Sequence, residues 1–426
     1  MTDLHLATDV LESAVASLPD DELTHARSAA LRHFRERGFP SLRDEDWKYT
    51  DLSNVIEISR RGLASPAIES KPDADQVRAV QASIDADWLV IANGVLDREL
   101  STGLDARGVV TGPLRADTVE LDFDDPLSDL NLALLRQGVS LRVTEDRAAE
   151  RPLGLLILDS ANAGPLSTQV RIDIDIDPDA AARFIEYHLS AGDAEHYSNA
   201  YVELDLGADA RVDYVRFQER ALHHSQTARL NVRLERDSSM RHCGVDLGGN
   251  LVRNDLKIDI AGSGASALFD GLYVVADGQH VDNHTRIDHR VGPAVSEQEY
   301  RGILNGRCRA IWNGKAIVHH GADGTDAQQA NHNLLLSEHA EIDAKPELEI
   351  YADEVKCAHG TTVGQLDEKA LFYLRSRGLD KPRAERVLTR AFAASIVSRS
   401  PISELHELLG DKVEQRLREL APGASA

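Results

Sequence analysis

Cys357 and His359, two residues apart, are the pair in this chain whose types and spacing best suit soft-metal chemistry. A thiolate and a neutral imidazole can together ligate a soft or borderline metal, or a metal–sulfur cluster. If the strand before them runs on through them, residues two apart share a face, and their side chains start about 6 to 7 Å from one another. The competing reading is a buried thiol beside a hydrogen-bonded ring, neither of which ligates anything.

The other histidines make weaker cases. His280, His284 and His289 lie beside Asp277, Asp282 and Asp288. On one straight strand His289 faces away from the other two, and His280 and His284 stand about 13 Å apart, so a shared metal needs a sharp bend. His319, His320 and His332 fall near Asp323, Asp326 and Asn331, where stacked polar turns usually satisfy backbone groups. Enzyme motifs are missing from the sequence. Gly314-Lys315 is followed by Ala316 and lacks the upstream glycine of a phosphate loop, so the chain is not expected to hydrolyse nucleotide. Gly262-Ser263-Gly264 lacks a third glycine, His406-Glu407-Leu408-Leu409-Gly410 lacks a second histidine, and there is no nucleophile elbow.

The elements that must position the Cys-His pair change type around it. Leu348 and Ile350 alternate with Glu347, Glu349 and Tyr351 at the period of a half-buried strand, which Ala352 to Lys356 could extend. Asp367 then reads as a helix N-cap, Ala370, Leu371 and Leu374 share a face, and Gly378 stops the helix. Further helices follow, with Pro382 in a first turn and Ala384, Val387, Leu388, Ala391 and Phe392 on one face. Leu405, Leu408 and Leu409 mark the next stripe, and Leu417 and Leu420 a last short helix. The first 60 residues are also helical in pattern, with Leu23, Ala30, Leu31 and Phe34 at helix spacing ahead of Gly38 and Pro40. Trp47 and Tyr49 are expected to pack a charged loop onto the core. The polar stretch from Leu63 to Val77 reads as a linker.

From about Trp88 to Val363 strand follows strand. Val170, Ile172, Ile174 and Ile176 alternate with polar residues, as do Val202, Leu204 and Leu206, then Leu230, Val232 and Leu234, then Leu256, Ile258 and Ile260. With no helix-length segment between them, a sheet built by crossover helices is not expected. A sandwich, a barrel or a β-solenoid remains, and the many short strands lean toward the solenoid. The formal charge of −24 on 426 residues argues against nucleic-acid or anionic-membrane partners. No run is long enough to span a bilayer, and the N-terminus carries acids where a secretory signal carries bases, so the chain is expected in the cytoplasm. Cys243, Cys308 and Cys357 are too few and too scattered for a disulfide framework.

Several separated motifs, in order, resemble the SufB/SufD family of iron–sulfur cluster assembly proteins. They are Trp47-Lys48-Tyr49-Thr50, Gly271-Leu272-Tyr273, His280-Val281-Asp282-Asn283, Asn333 to Ser337, Pro346 to Asp353, Val355 to Gly360 and Leu371 to Gly378. The chain is more similar to the SufD side, because Gly360 follows the histidine where SufB-type chains carry an acid. Glu354 and Ile311-Trp312 depart from the family pattern without touching the Cys-x-His pair. The resemblance implies a right-handed parallel β-helix core over 81–365, a small N-terminal helical domain with its linker over 1–80, and a C-terminal helical domain over 366–426. It implies a non-catalytic scaffold that pairs with a SufB-like paralogue through the β-helix and docks the SufC ATPase on its C-terminal helices. His359, and with it Cys357, would then face a nascent iron–sulfur cluster at the interface with the partner, with a reduced flavin associated with the assembled complex. A carbohydrate-active β-solenoid enzyme is the alternative from another class.

Overall fold

The computed structural model describes residues 8–64, 72–119, 125–145, 151–162 and 164–420. Helices α1 (Thr8–Ala16), α2 (Thr24–Arg37), α3 (Ser53–Ala64) and α4 (Ala74–Ser83) come first. Short strands β1 (Asp87–Ala92), β2 (Val95–Asp97) and β3 (Val109–Pro113), helix α5 (Pro126–Ala133) and strands β4 (Val139–Val143) and β5 (Leu153–Ser160) lead into the main body. That body is β6 (Leu166–Ile176), β7 (Ala181–Ala191), β8 (His196–Leu206), β9 (Arg211–Gln218), β10 (His224–Leu234), β11 (Ser239–Asp246) and β12 (Leu251–Ile260). It continues as β13 (Ser266–Val275), β14 (His280–His289), β15 (Val295–Leu304), β16 (Arg309–Val318), β17 (Asp326–Leu335), β18 (Glu341–Ile350) and β19 (Lys356–Gly364). Helices α6 (Glu368–Ser376), α7 (Lys381–Val397) and α8 (His406–Glu419) end the chain. Among the described residues no helix is long and apolar enough to cross a membrane.

Successive strands alternate between two sheets. The odd-numbered strands from β5 to β19 pair in parallel in one sheet, and the even-numbered strands from β4 to β18 pair in parallel in the other. This is a parallel β-solenoid of about seven turns with helices at both ends. The two-residue alternation decides which side chains enter the lumen. Ile172, Val202, Leu230 and Leu256 are register partners, as are Ile174, Leu204, Val232 and Ile258, and then Ile176, Leu206, Leu234 and Ile260. All twelve are buried and form aliphatic ladders along the axis. Burying each such side chain contributes about 1.5 to 3 kcal/mol. At one corner of the coil Asp179, Asp209 and Asp237 recur with φ between 56° and 61°. Aspartate tolerates this left-handed conformation better than most residues, so it serves the same turn coil after coil.

The helices pack outside. N-terminal helices and α5 cover one face of the nine-stranded sheet in a core that includes Phe34, Val55, Ile58, Leu130 and Tyr197. At the other end of the chain, α7 and α8 cover the ten-stranded sheet. Their Ala393, Ile396, Val397, Leu409, Val413 and Leu417 belong to the same apolar cluster as Val245, Leu272, Val274 and Ile303 of the strands. Arg399 pins the arrangement, reaching Asp270 at 3.0 Å, Glu297 at 2.9 Å and Glu299 at 2.7 Å.

Three expectations need correcting. The strand before the Cys-His pair stops at Ile350, and Tyr351 to Val355 form a turn, so the pair lies on a new strand, β19. A helix, α5, does intervene in the β region. All eight of its residues are buried, the polar Ser128, Asp129 and Asn131 among them, and the signal that was overlooked is its start, where Asp125 caps the helix ahead of Pro126. The expected linker is partly helical. Asp73 caps α4 by accepting from the N–H groups of Asp75 and Gln76, and Val77 is buried, while Pro66 lies outside the described residues.

Candidate functional site

Strands β18 and β19 form the last coil of the solenoid, and among the described residues no further coil covers it. Residues that would be buried one coil earlier are therefore open here. Cys357 and His359 are the register partners of Ala327 and Gln329 on β17, both of them buried in the lumen. In a parallel ladder register partners point to the same side, so both side chains face along the lumen at its uncapped end. Cys357 is half-buried and His359 exposed. Opposite them β18 presents Ile342, Ala344, Leu348 and Ile350, each the partner of a buried residue on β16.

The electrostatics separate the two groups. Burial pushes the Cys357 thiol above its ordinary value, so it is mostly protonated at neutral pH and is not a pre-activated nucleophile. His359 has no hydrogen-bond or ion-pair partner among the described residues, which leaves its ring nitrogens available. After the site comes α6, capped by Asp367 accepting from the Lys369 N–H at 2.9 Å. Ala370, Leu371 and Leu374 are its partly shielded residues, whereas Phe372 is 75% and Tyr373 56% exposed. A helix that turns two aromatic rings to solvent presents a surface suited to another protein.

The remaining histidines do not converge. Among the described residues no group of three or more His, Cys, Asp or Glu is arranged to hold a metal ion. His280 Nε2 lies 2.9 Å from Thr50 Oγ1, His284 Nε2 lies 2.9 Å from Asp282, and His289, inside the lumen, lies 2.9 Å from Ser296 Oγ. Burial pushes His280 down and His289 down to about 4, so these rings are neutral packing elements near neutral pH. His319 pairs with Asp288 and His332 with Thr362, while His320 packs against the Tyr351 ring. Trp47 is buried with the Arg253 guanidinium 4.1 Å above its ring, and Thr50 donates to Asp282 at 2.5 Å. That loop is a strap locked onto the nine-stranded sheet.

Sequence reasoning missed the file of residues behind the pair. Phe184, Tyr214, His242, Phe269, Gln298, Gln329 and His359 are successive register partners along one lumen column. Their spacing of 27 to 31 residues was the available signal, since a solenoid repeats once per coil. The same spacing recurs in Asp179, Asp209 and Asp237.

Comparison with known proteins agrees with this architecture. Residues 157–392 match the family described as SUF system FeS cluster assembly, SufBD core domain, and residues 9–155 match the SufBD protein N-terminal region. The iron–sulfur cluster assembly protein SufD of Escherichia coli is 29% identical over 407 residues, covering 91% of each chain. An iron–sulfur cluster assembly SufBD family protein of Synechocystis is 29% identical over 95% of this chain and 93% of its own. SufD of Bacillus subtilis is 28% identical over 92% of this chain and 95% of its own. A two-sheet solenoid flanked by helices, and a core match that takes in more than half of the sequence, together make this chain a member of the SufBD family of iron–sulfur cluster assembly proteins, on its SufD-like side.

Proposed function

We propose that the chain is a non-catalytic scaffold subunit of a cytoplasmic Suf assembly complex. It pairs with a SufB-like paralogue through the last coil, receives a SufC-like ATPase on its C-terminal helices, and helps build a nascent cluster where the two solenoids meet. The observation that carries this reading is the position of Cys357 and His359 on the uncapped coil, at the mouth of the lumen. The outer edges of β18 and β19 have no strand beside them among the described residues, and such edges offer backbone N–H and C=O groups to another chain. A partner seated there would enclose the two side chains and exclude water from the cargo.

The chemistry orders the two groups. A neutral imidazole gives a lone pair to iron without first losing a proton, whereas the Cys357 thiol, pushed up by burial, must be deprotonated as it binds. His359 is the first ligand, and Cys357 supports it or acts later. The exposed Phe372 and Tyr373 of α6 are the natural contact for the ATPase. Family membership favours this over the carbohydrate-active solenoid.

The test is iron and acid-labile sulfide per complex, for the chain coexpressed with its SufB- and SufC-like partners and purified without oxygen. His359→Ala is expected to leave the complex intact and to lower both strongly, with Cys357→Ser milder. Wild-type iron and sulfide in His359→Ala would remove the ligand role.

A further inference from the structure

Behind His359 the lumen column changes character. Its inner part is aromatic, with Phe184 and Tyr214 rings 5.8 Å apart, Tyr214 and His242 5.9 Å, and His242 and Phe269 6.0 Å. Its outer part is amide, Gln298 and then Gln329, and both are buried, Gln329 at 4% exposure. A buried carboxamide is costly unless its hydrogen bonds are made. In the amide orientation that satisfies its neighbours, Gln329 Oε1 accepts from the Ala316 backbone N–H at 3.1 Å and from Gln298 Nε2 at 3.0 Å. Its Nε2 donates to the Gly314 carbonyl at 3.1 Å. The oxygen is then full, and one N–H remains.

That N–H has one direction left. Gly314 and Ala316 belong to the facing sheet, Gln298 to the coil before, and the next member of the column is His359 on the uncapped coil. The hydrogen bonds also run one way. Thr285 Oγ1 donates to Gln298 Oε1 at 2.7 Å, and Gln298 donates to Gln329, so each bond polarises the next and strengthens the last N–H as a donor.

We infer that Gln329 is a positioning residue whose free N–H is presented to inorganic sulfide, the anionic sulfur of a cluster built beside Cys357 and His359. The inference rests on the reading of His359 as an iron ligand. The His359 ring itself is excluded as the acceptor in that state. A ring nitrogen that accepts from Gln329 leaves the other nitrogen protonated, without a lone pair for iron. An N–H donated to cluster sulfur stabilises the added negative charge of the reduced form and so raises the reduction potential.

Gln329→Met keeps the length and removes the donor, and Thr285→Val interrupts the chain only at its start. Each is assembled with its partners, loaded without oxygen with ferrous iron and sulfide, and compared with wild type for reduction potential and for the rate of sulfide loss. The expected result is a more negative potential in Gln329→Met, a smaller shift of the same sign in Thr285→Val, and sulfide loss about tenfold faster in Gln329→Met, the worth of one net hydrogen bond. Unchanged potential and sulfide loss in both variants would overturn the inference. So would a Gln329→Met chain that fails to assemble beside a Thr285→Val complex of wild-type potential. His359→Ala run alongside separates the two readings: wild-type iron, sulfide and potential there defeat the ligand role, whereas loss there with an unchanged Gln329→Met defeats only the glutamine.

Discussion

His359 is exposed and makes no hydrogen bond or ion pair among the described residues, so its replacement tests chemistry with little disturbance of folding. His359→Ala is expected to change the unfolding free energy by less than about 0.5 kcal/mol, as exposed positions usually do. His280 is the contrast. Its ring holds Thr50 of the strap, so His280→Asn should cost about 1 kcal/mol and leave cluster loading unchanged. A second residue-scale effect concerns pH. Burial pushes the Glu203 carboxyl up to about 7, with Asp205 on the same strand face adding to it. The folded-state value lies above the ordinary 4.5, so folding favours the neutral form. The stabilising contribution is complete below about pH 4.5 and gone once pH passes about 7. Glu203→Gln is therefore expected to raise the unfolding free energy at pH 8, by at most about 3 kcal/mol, and to leave it unchanged at pH 4.5. Equal effects at both pH values in a thermal melt would refute the assignment.

At the scale of elements, the solenoid is held by ladders of like side chains, and its two strand faces differ sharply. Ile172 is fully buried between Val139 and Val202, whereas Asp175 stands outside. Ile172→Ala is expected to cost about 2 to 5 kcal/mol in denaturant unfolding, because the gap in the ladder cannot close. Asp175→Ser should stay within about 0.5 kcal/mol. Similar losses at both positions would contradict the lumen assignment. Strand alternation was legible in β6, β8, β10 and β12 because their inward faces meet aliphatic neighbours there. Helix α5 was not, because it is only eight residues long and buries its polar Ser128, Asp129 and Asn131 along with its leucines, so no solvent face contrasts with a core face.

For the whole molecule, the C-terminal helices are part of the body as well as the proposed ATPase contact. Helices α7 and α8 share one apolar cluster with the ten-stranded sheet, so deleting residues from Lys381 onward uncovers Leu272, Val274 and Ile303. That deletion is expected to cause aggregation, visible by light scattering, and cannot isolate a docking surface. Helix α6 has no buried residue and can be altered alone. Phe372→Glu with Tyr373→Ser is expected to weaken ATPase binding at least tenfold in a titration, with the unfolding temperature unchanged. Undiminished binding would place the ATPase elsewhere.

The sequence alone determined the helical ends, a mainly β middle without α5, the inward residues of β6, β8, β10 and β12, and the Cys-x-His spacing. All of these depend on neighbours within about ten residues: caps, stop signals, and periods of two or 3.6. Whether the strands formed a sandwich, a barrel or a solenoid was not local, since it depends on pairing between residues about 30 apart. The family resemblance supplied that choice before the repeat itself was read. Only the tertiary structure decided that Cys357 and His359 face along the lumen of an uncapped coil, because their outlook is set by Ala327 and Gln329 one coil earlier. It also gathered Thr285, Gln298 and Gln329 into one hydrogen-bonded file, whereas the opposite outlook of His289 from His280 and His284 on one strand was already legible from the two-residue period. Stacking carries a side chain's environment from one coil to the next, and that information lies across the strands rather than along them.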